Sequence, residues 1–212
     1  MRSFARLATA AVGVVFLLGL ETAQAAPAFT TKYSFYSVSG TSTTGIFASL
    51  LKNSLRVNGA RHHALTMIEF STPRTVSSAK GCRVAGLSVR FVIRLPRHAN
   101  EASLSASDRR LWQQFSGFIR KHEETHRAIW MNCVRRMDAV LTGLQGRNCT
   151  EAARRARNII EQVKPACRQK DIAFDAADRG RFDNHPFMKA ALAPIYTPVK
   201  TKAKKRQKPA PQ

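Results

Sequence analysis

Residues 122–126 read His-Glu-Glu-Thr-His, a pentad whose residue types and spacing suit metal-assisted hydrolysis. On an α-helix, residues i and i+4 share one face, so the imidazoles of His122 and His126 can bind a single metal ion. Zinc takes neutral imidazole nitrogens at about 2.0–2.1 Å, and Glu123 can act as general base on a water that zinc activates. The pentad therefore predicts the HExxH site of a zinc peptidase. The alternative is a pair of hydrogen-bonded core histidines, since both fall on an apolar stripe.

The pentad lies in the middle of a long predicted helix. Ser105 to Asp108 offer an N-terminal cap, and Gly143 and Gly146 end the periodic pattern. The residues that mark one helix face are Leu111, Phe115, Phe118, Ile119, His122, His126, Ile129, Trp130, Cys133, Met137, Val140, Leu141 and Leu144.

A second helix follows, capped by Asn148 or Thr150, with Pro165 as the expected position of a kink. Its apolar stripe consists of Ala153, Ala156, Ile160, Val163 and Cys167. A short connection between two long helices makes them antiparallel neighbours.

Three segments before the helices have the composition of strands. They are Tyr33 to Val38, Ala64 to Ser71, and Arg83 to Leu95, the last ended by Pro96. A short helix is expected after Thr41 to Thr44, where apolar residues follow at helical spacing. The sequence thus predicts an α+β domain, with a small antiparallel sheet packed against a long antiparallel helical hairpin that carries the pentad.

Residues 1–26 have the pattern of a cleavable signal peptide. Arg2 and Arg6 precede an apolar run over residues 7–20, and Ala23-Gln24-Ala25 forms a small-residue cleavage site. We therefore expect a periplasmic or secreted protein that is not integral to the membrane, because no later segment approaches 18 continuous apolar residues. An uncleaved signal anchor is the alternative.

The chain has 35 basic and 13 acidic residues, a formal net charge of +22. We expect a metallopeptidase-like domain over residues 27–190 and a basic, disordered tail over 191–212, because the tail has too little apolar surface to fold. The tail could lie on an anionic envelope surface. Specific nucleic-acid binding is not predicted, because no recognised nucleic-acid-binding motif accompanies the charge.

The four cysteines are Cys82, Cys133, Cys149 and Cys167. In an exported protein they can form up to two disulfides, with three possible pairings. None has the C-x-x-C spacing of a cysteine zinc site or a thioredoxin-like motif.

The chain resembles DUF922, a bacterial family described as predicted secreted zinc-dependent proteases. The resemblance covers roughly residues 33 to 180. The matching features are Tyr36 to Gly40, Cys82, Ile93 to Pro96, Trp112, the pentad followed by Arg127, and Cys149. The resemblance implies a Cys82–Cys149 disulfide. Cys133 and Cys167 would then face each other across the hairpin, but their unequal distances from the turn argue against a second bond.

The third metal ligand is where the chain departs from this family. The family's segment Tyr-Asp-x-x-Thr-x-His-Gly corresponds to residues 174–180 here, and with a one-residue gap Arg179 stands at the histidine position. A guanidinium cannot ligate zinc, and a catalytic site normally has three protein ligands. The metzincin pattern is excluded by Ile129 and Asn132. We favour His185 as the third ligand, with Asp175, Asp178 and Asp183 as the other candidates.

Two functions follow from these observations. The first is an exported zinc metallopeptidase that hydrolyses peptide or protein substrates with Glu123 as general base. The second is a catalytically degenerate, basic, envelope-associated binding protein on the same fold, which the absent histidine and the excess charge favour.

Overall fold

A computed structural model describes residues 26–57 and 59–196 of the chain, except for the side chains of Ser78, Ile195 and Tyr196. The expected signal peptide and the segment after residue 196 lie outside these residues, so both stay predictions. The elements in chain order are β1 (Ala28–Val38), α1 (Thr43–Asn53), β2 (Leu55–Val57), β3 (Ala60–His62), β4 (Leu65–Phe70), β5 (Arg74–Ser78), β6 (Gly81–Gly86), β7 (Ser88–His98), a short 3-10 helix (Glu101–Ser103), α2 (Ala106–Leu141), β8 (Gln145–Gly146), α3 (Cys149–Asp183) and α4 (Pro186–Tyr196).

The predicted α+β architecture is confirmed, with small sheets packed on two long helices. The main sheet has the strand order β1-β7-β4, and β4 pairs with β7 in antiparallel fashion as expected. The β1–β7 ladder is parallel, which the sequence reading did not anticipate. Parallel strands need a long crossover connection, and here α1 and the strands β2 to β6 provide it. Two smaller sheets contain β2-β3 and β5-β6-β8.

The prediction of one strand from Arg83 to Leu95 is wrong, because the chain breaks at Leu87 into β6 and β7, which belong to different sheets. Gly86 adopts φ of 142°, a conformation that side chains disfavour. The backbone N–H of Leu87 leaves the ladder and donates to Oδ1 of buried Asp138 at 2.8 Å. Strand β7 also continues through Pro96, which pairs with Tyr36 of β1, and no β4 residue stands opposite the proline because that ladder ends at Arg94.

The predicted caps of both long helices are confirmed. The Ser105 side chain accepts from the Asp108 N–H before α2, and Asn148 accepts from the Glu151 N–H before α3. The two helices have 36 and 35 residues. Pro165 lies inside α3, which the structure assigns as one uninterrupted helix.

Two disulfides join these elements. Cys82–Cys149 ties β6 to the start of α3 with a Cα–Cα distance of 4.8 Å, as the family resemblance implied. Cys133–Cys167 links α2 to α3 at a Cα–Cα distance of 6.0 Å, so the expectation against it is wrong.

The unequal spacing of this second pair is explained by a stagger of the hairpin. Cys133 lies eight residues before the end of α2, whereas Cys167 lies eighteen residues after the start of α3. Ten residues of helix rise about 15 Å, so α3 begins well beyond the end of α2. The connection over residues 142–148 spans that offset because it contains β8, which pairs with β6.

The buried apolar residues form two clusters on either side of the pentad. The first packs the start of α2 against α1 and α4, and its aromatic centre includes Phe115 stacked on Phe187 with ring centroids 4.4 Å apart. The second surrounds the two disulfides. Along α2 the first cluster reaches Ile119 and the second resumes at Trp130. The pentad thus occupies a polar interval between two cores.

Helix α4 includes residues 191–196, the first six residues of the segment expected as tail, and Ala191 is buried in the first core cluster. Helix α4 begins at Pro186, so only Asn184 and His185 separate it from α3.

The disulfides fit an extracellular or periplasmic protein, since such bonds persist in oxidising compartments. Within the described residues, every helix is too short or too polar to cross a bilayer.

We expect removal of the Cys133–Cys167 bond to destabilise the protein by about 2–4 kcal/mol, because it closes a loop of 34 residues. Urea unfolding of the double variant Cys133→Ala/Cys167→Ala measures this loss. Each single alanine variant should lose a similar amount, since either change breaks the bond. Free thiols at both positions in a non-reducing peptide map would contradict the assignment.

Candidate metal centre

Helix α2 directs both histidines of the pentad to one point. Nε2 of His122 and Nε2 of His126 are 3.0 Å apart, and the rings meet edge to face. His126 is buried, whereas the His122 side chain keeps 23% of its surface exposed. The i, i+4 spacing predicted this convergence.

Helix α3 supplies a carboxylate at the same point. Oδ1 of Asp175 lies 3.1 Å from Nε2 of His122 and 2.9 Å from Nε2 of His126. His122, His126 and Asp175 form the group whose ligand atoms lie close enough together to share a metal ion. The separations of about 3 Å approach the ~3.3 Å edge of a tetrahedron whose corners are 2.0–2.1 Å from zinc. The donor set therefore fits this metal.

The other nitrogen of each imidazole is held by a further carboxylate. Nδ1 of His126 donates to Oδ1 of Asp171 at 2.7 Å, and Nδ1 of His122 donates to Oδ2 of Asp178 at 2.9 Å. A carboxylate can only accept, so each Nδ1 carries a proton and each Nε2 is the atom left to bind a metal ion. This carboxylate–histidine arrangement is typical of metal sites, where it fixes the ring orientation and raises ligand basicity.

The orienting carboxylates are themselves supported. Asp178 is buried, and its Oδ1 accepts from the Arg181 guanidinium at 2.7 Å. The Phe174 ring packs against both imidazoles, with ring centroids 4.9 Å from His122 and 5.0 Å from His126. Burial alone lowers the pKa of His126, but the hydrogen bond and charge of Asp171, with the charge of Asp175, raise it above its usual value.

Glu123 lies beside this centre in a buried position, 5% exposed. Its Oε2 accepts from the Thr66 hydroxyl of β4 at 2.8 Å. Burial raises the pKa of Glu123, although the Thr66 hydrogen bond and the nearby histidines pull it down. A carboxylate that is more basic than usual is better matched to proton transfer near neutral pH.

These groups line a cavity of about 480 Å³. Residues 118–126 of α2 contribute to its lining together with residues 61–66 on one side and α3 on the other. The His63 ring stacks on Phe182 with centroids 5.5 Å apart, which brings the two sides into contact. The Nδ1 atom of His63 is buried without a hydrogen-bond partner in the described structure, and burial lowers the pKa of this histidine.

The structure does not bring His185 to the histidine pair. Its ring packs on Phe115 and Phe118, about one turn or more before His122 on α2. Its Nδ1 accepts from the Phe187 N–H at 3.2 Å and its carbonyl accepts from the Lys189 N–H. His185 therefore caps α4, a role that the sequence reading overlooked because α4 was not expected.

Of the other candidates for the third ligand, Asp175 reaches the Nε2 atoms and Asp178 reaches an Nδ1 atom. Asp183, at the last turn of α3, does not belong to the cavity lining. Asp171 and Thr66 were missed. Asp171, Asp175 and Asp178 follow one another at i, i+4 and i+7, which places them on one face of α3, and this spacing was the available signal.

A family model for bacterial proteins of unknown function (DUF922) matches residues 33–182. The match extends from β1 almost to the end of α3, so it includes every residue of the centre described above. No curated protein matches the chain, and no solved structure matches it.

We expect Asp175→Ala to weaken zinc binding by more than the ~10–100-fold that follows loss of an outer hydrogen-bond partner, because it removes one of three ligands. Competition titration with a chromophoric chelator gives the dissociation constant. Asp183→Ala is the matched control on the same helix, and it and His185→Ala should change affinity little. A large loss with His185→Ala and none with Asp175→Ala would contradict this ligand set.

Asp171→Ala should weaken zinc binding by about 10–100-fold, because His126 then loses the acceptor that fixes its tautomer. Asp171→Asn keeps an acceptor without the charge and should fall between wild type and the alanine variant. The same titration measures both. Unchanged affinity in Asp171→Ala would mean that the hydrogen bond to His126 has no part in metal binding.

Proposed function

This chain belongs to the DUF922 family, whose function is unknown, and we propose that it is an exported zinc-dependent peptidase. The proposal assigns zinc to His122, His126 and Asp175, and the role of general base to Glu123.

One observation carries the proposal. Both Nδ1 atoms donate to carboxylates, so the two Nε2 atoms and the Asp175 carboxylate are left facing one another at about 3 Å. Three acceptors at such distances repel each other unless a cation or an added proton lies between them. Histidines that merely fill a core have no need of this arrangement, since each lone pair would instead face a donor.

The chemistry divides between the metal and the protein. Zinc bound at these residues would supply a Lewis acid that polarises the scissile carbonyl and acidifies a water molecule. Glu123 accepts the proton of the attacking water and returns it to the leaving amine. The Thr66 hydroxyl holds Oε2 of Glu123, which fixes the carboxylate in one orientation. Burial of Glu123 between two apolar clusters keeps it basic.

The cavity supports a substrate of peptide size. Its volume of about 480 Å³ lies within the range of about 300–1,000 Å³ that is usual for ligand sites. The alternative of a degenerate binding protein depended on the lack of a third ligand and on the excess basic charge. The position of Asp175 argues against the first ground, and the net charge of +22 fits a basic peptidase equally well.

We expect Glu123→Gln to retain zinc while peptide hydrolysis falls by about 10² or more, because glutamine keeps the shape but cannot accept the proton. Zinc content per chain and turnover of a fluorogenic peptide mixture are measured together. Glu124→Gln is the control, since Glu124 accepts from the Tyr33 hydroxyl at 2.6 Å and lies outside the cavity lining. A Glu123→Gln protein with full activity would refute the assigned role.

A further inference from the structure

We propose that Arg179 binds a carboxylate of the substrate, so that the preferred peptides carry a negative charge close to the scissile bond. The inference rests on the proposed function, because it concerns the substrate of that same site. It assigns a role to the one residue that replaces a histidine of the family pattern.

The first observation is the position of Arg179. It follows Asp175 by four residues on α3, a separation of about 6 Å between neighbouring Cβ atoms on one helix face. Arg179 and Asp175 both line the cavity of the metal centre. Phe182, three residues further along, lines it too and stacks on His63. A substrate group beside Arg179 would thus lie between the metal ligands and the stacked rings.

The second observation is that the fold does not use this charge. Among residues 26–57 and 59–196, no carboxylate forms an ion pair with Arg179, although Arg181, two residues later, pairs with Asp178. The Arg179 side chain is exposed at the cavity. A guanidinium offers five donors in a planar fork that matches a carboxylate, and it stays charged at any physiological pH.

A second guanidinium at the cavity favours an anionic partner beside Arg179. Arg61, from the other side of the cavity, adds a second guanidinium, which donates to the carbonyl of Leu51. The formal net charge of +22 would attract anionic peptides by long-range electrostatics. The carboxylate could come from an Asp or Glu side chain or from the C-terminus of the peptide, and the chemistry recognised is the same.

The test uses the full-length, zinc-loaded protein and four matched peptide sets. The sets share one sequence pool and differ in two ways: each peptide carries Glu or Gln at one position, and its C-terminus is free or amidated. Wild-type kcat/KM should be at least about tenfold higher for peptides with a carboxylate than for amidated Gln peptides. A charge-assisted hydrogen bond strengthens binding by about that factor. The comparison of Glu with Gln peptides tests recognition of a side-chain carboxylate. The comparison of free with amidated peptides tests recognition of the C-terminal carboxylate.

The variants isolate the guanidinium. Arg179→Met should reduce the ratio of kcat/KM between carboxylate-bearing and neutral peptides to about one, and Arg179→Lys should restore part of that ratio. Arg168→Met is the control, since it removes an equal charge from an exposed position on α3 outside the cavity lining. A carboxylate preference that survives Arg179→Met unchanged overturns the inference.

A binding measurement separates this inference from the proposed function. The Glu123→Gln variant holds peptides without cleaving them, and fluorescence anisotropy of labelled Glu and Gln peptides gives their dissociation constants with and without Arg179→Met. If wild type cleaves no peptide but the Glu peptides bind more tightly through Arg179, only the proposed hydrolysis fails. Equal affinities for Glu and Gln peptides, or no binding of either, overturn the role of Arg179.

Discussion

The register of α2 against α3 is the constraint on which the metal centre depends. The pentad presents two imidazoles, but the third candidate ligand and both orienting carboxylates come from α3, more than forty residues later in the chain. A slip of one turn, about 5.4 Å, would place every carboxylate opposite the wrong ring. The Cys133–Cys167 bond lies seven residues from His126 on one helix and four from Asp171 on the other, so it fixes this register close to the site.

The centre also carries an electrostatic cost that the two apolar clusters on either side have to offset. Glu123, Asp178 and His126 are all buried, and buried polar groups are tolerated when they are hydrogen-bonded. Glu123 accepts from the Thr66 hydroxyl, Asp178 accepts from the Arg181 guanidinium, and His126 donates to Asp171. The polar stretch of α2 between Ile119 and Trp130 is therefore stabilised by hydrogen-bond partners on β4 and α3. Contacts within α2 alone do not stabilise it.

Much of the fold and half of the site could be predicted from the sequence, and the limits have physical causes. The caps at Ser105 and Asn148 and the convergence of His122 and His126 are local, set by spacing along one helix. The break at Leu87 was not predictable from alternation, because Asp138, some fifty residues away, accepts the displaced N–H. Which carboxylate of α3 faces the two histidines depends on the stagger of the hairpin. The length of the connection does not reveal that stagger. Accepting the Cys133–Cys167 pair would have placed residue 174 opposite His126 and so brought the neighbouring Asp175 to the pentad.

An aspartate as the third candidate ligand sets the electrostatics of the centre as well as its donor set. Two histidines and one carboxylate would donate more negative charge to a bound zinc ion than three neutral imidazoles, which weakens its Lewis acidity. The carboxylates of Asp171, Asp178 and Glu123 add to this negative field. Arg61 and Arg179 at the same cavity have the opposite sign. In the proposed site, Arg179 follows Asp175 by four residues on α3, so its guanidinium offsets part of this negative charge and is placed to bind a carboxylate of the substrate.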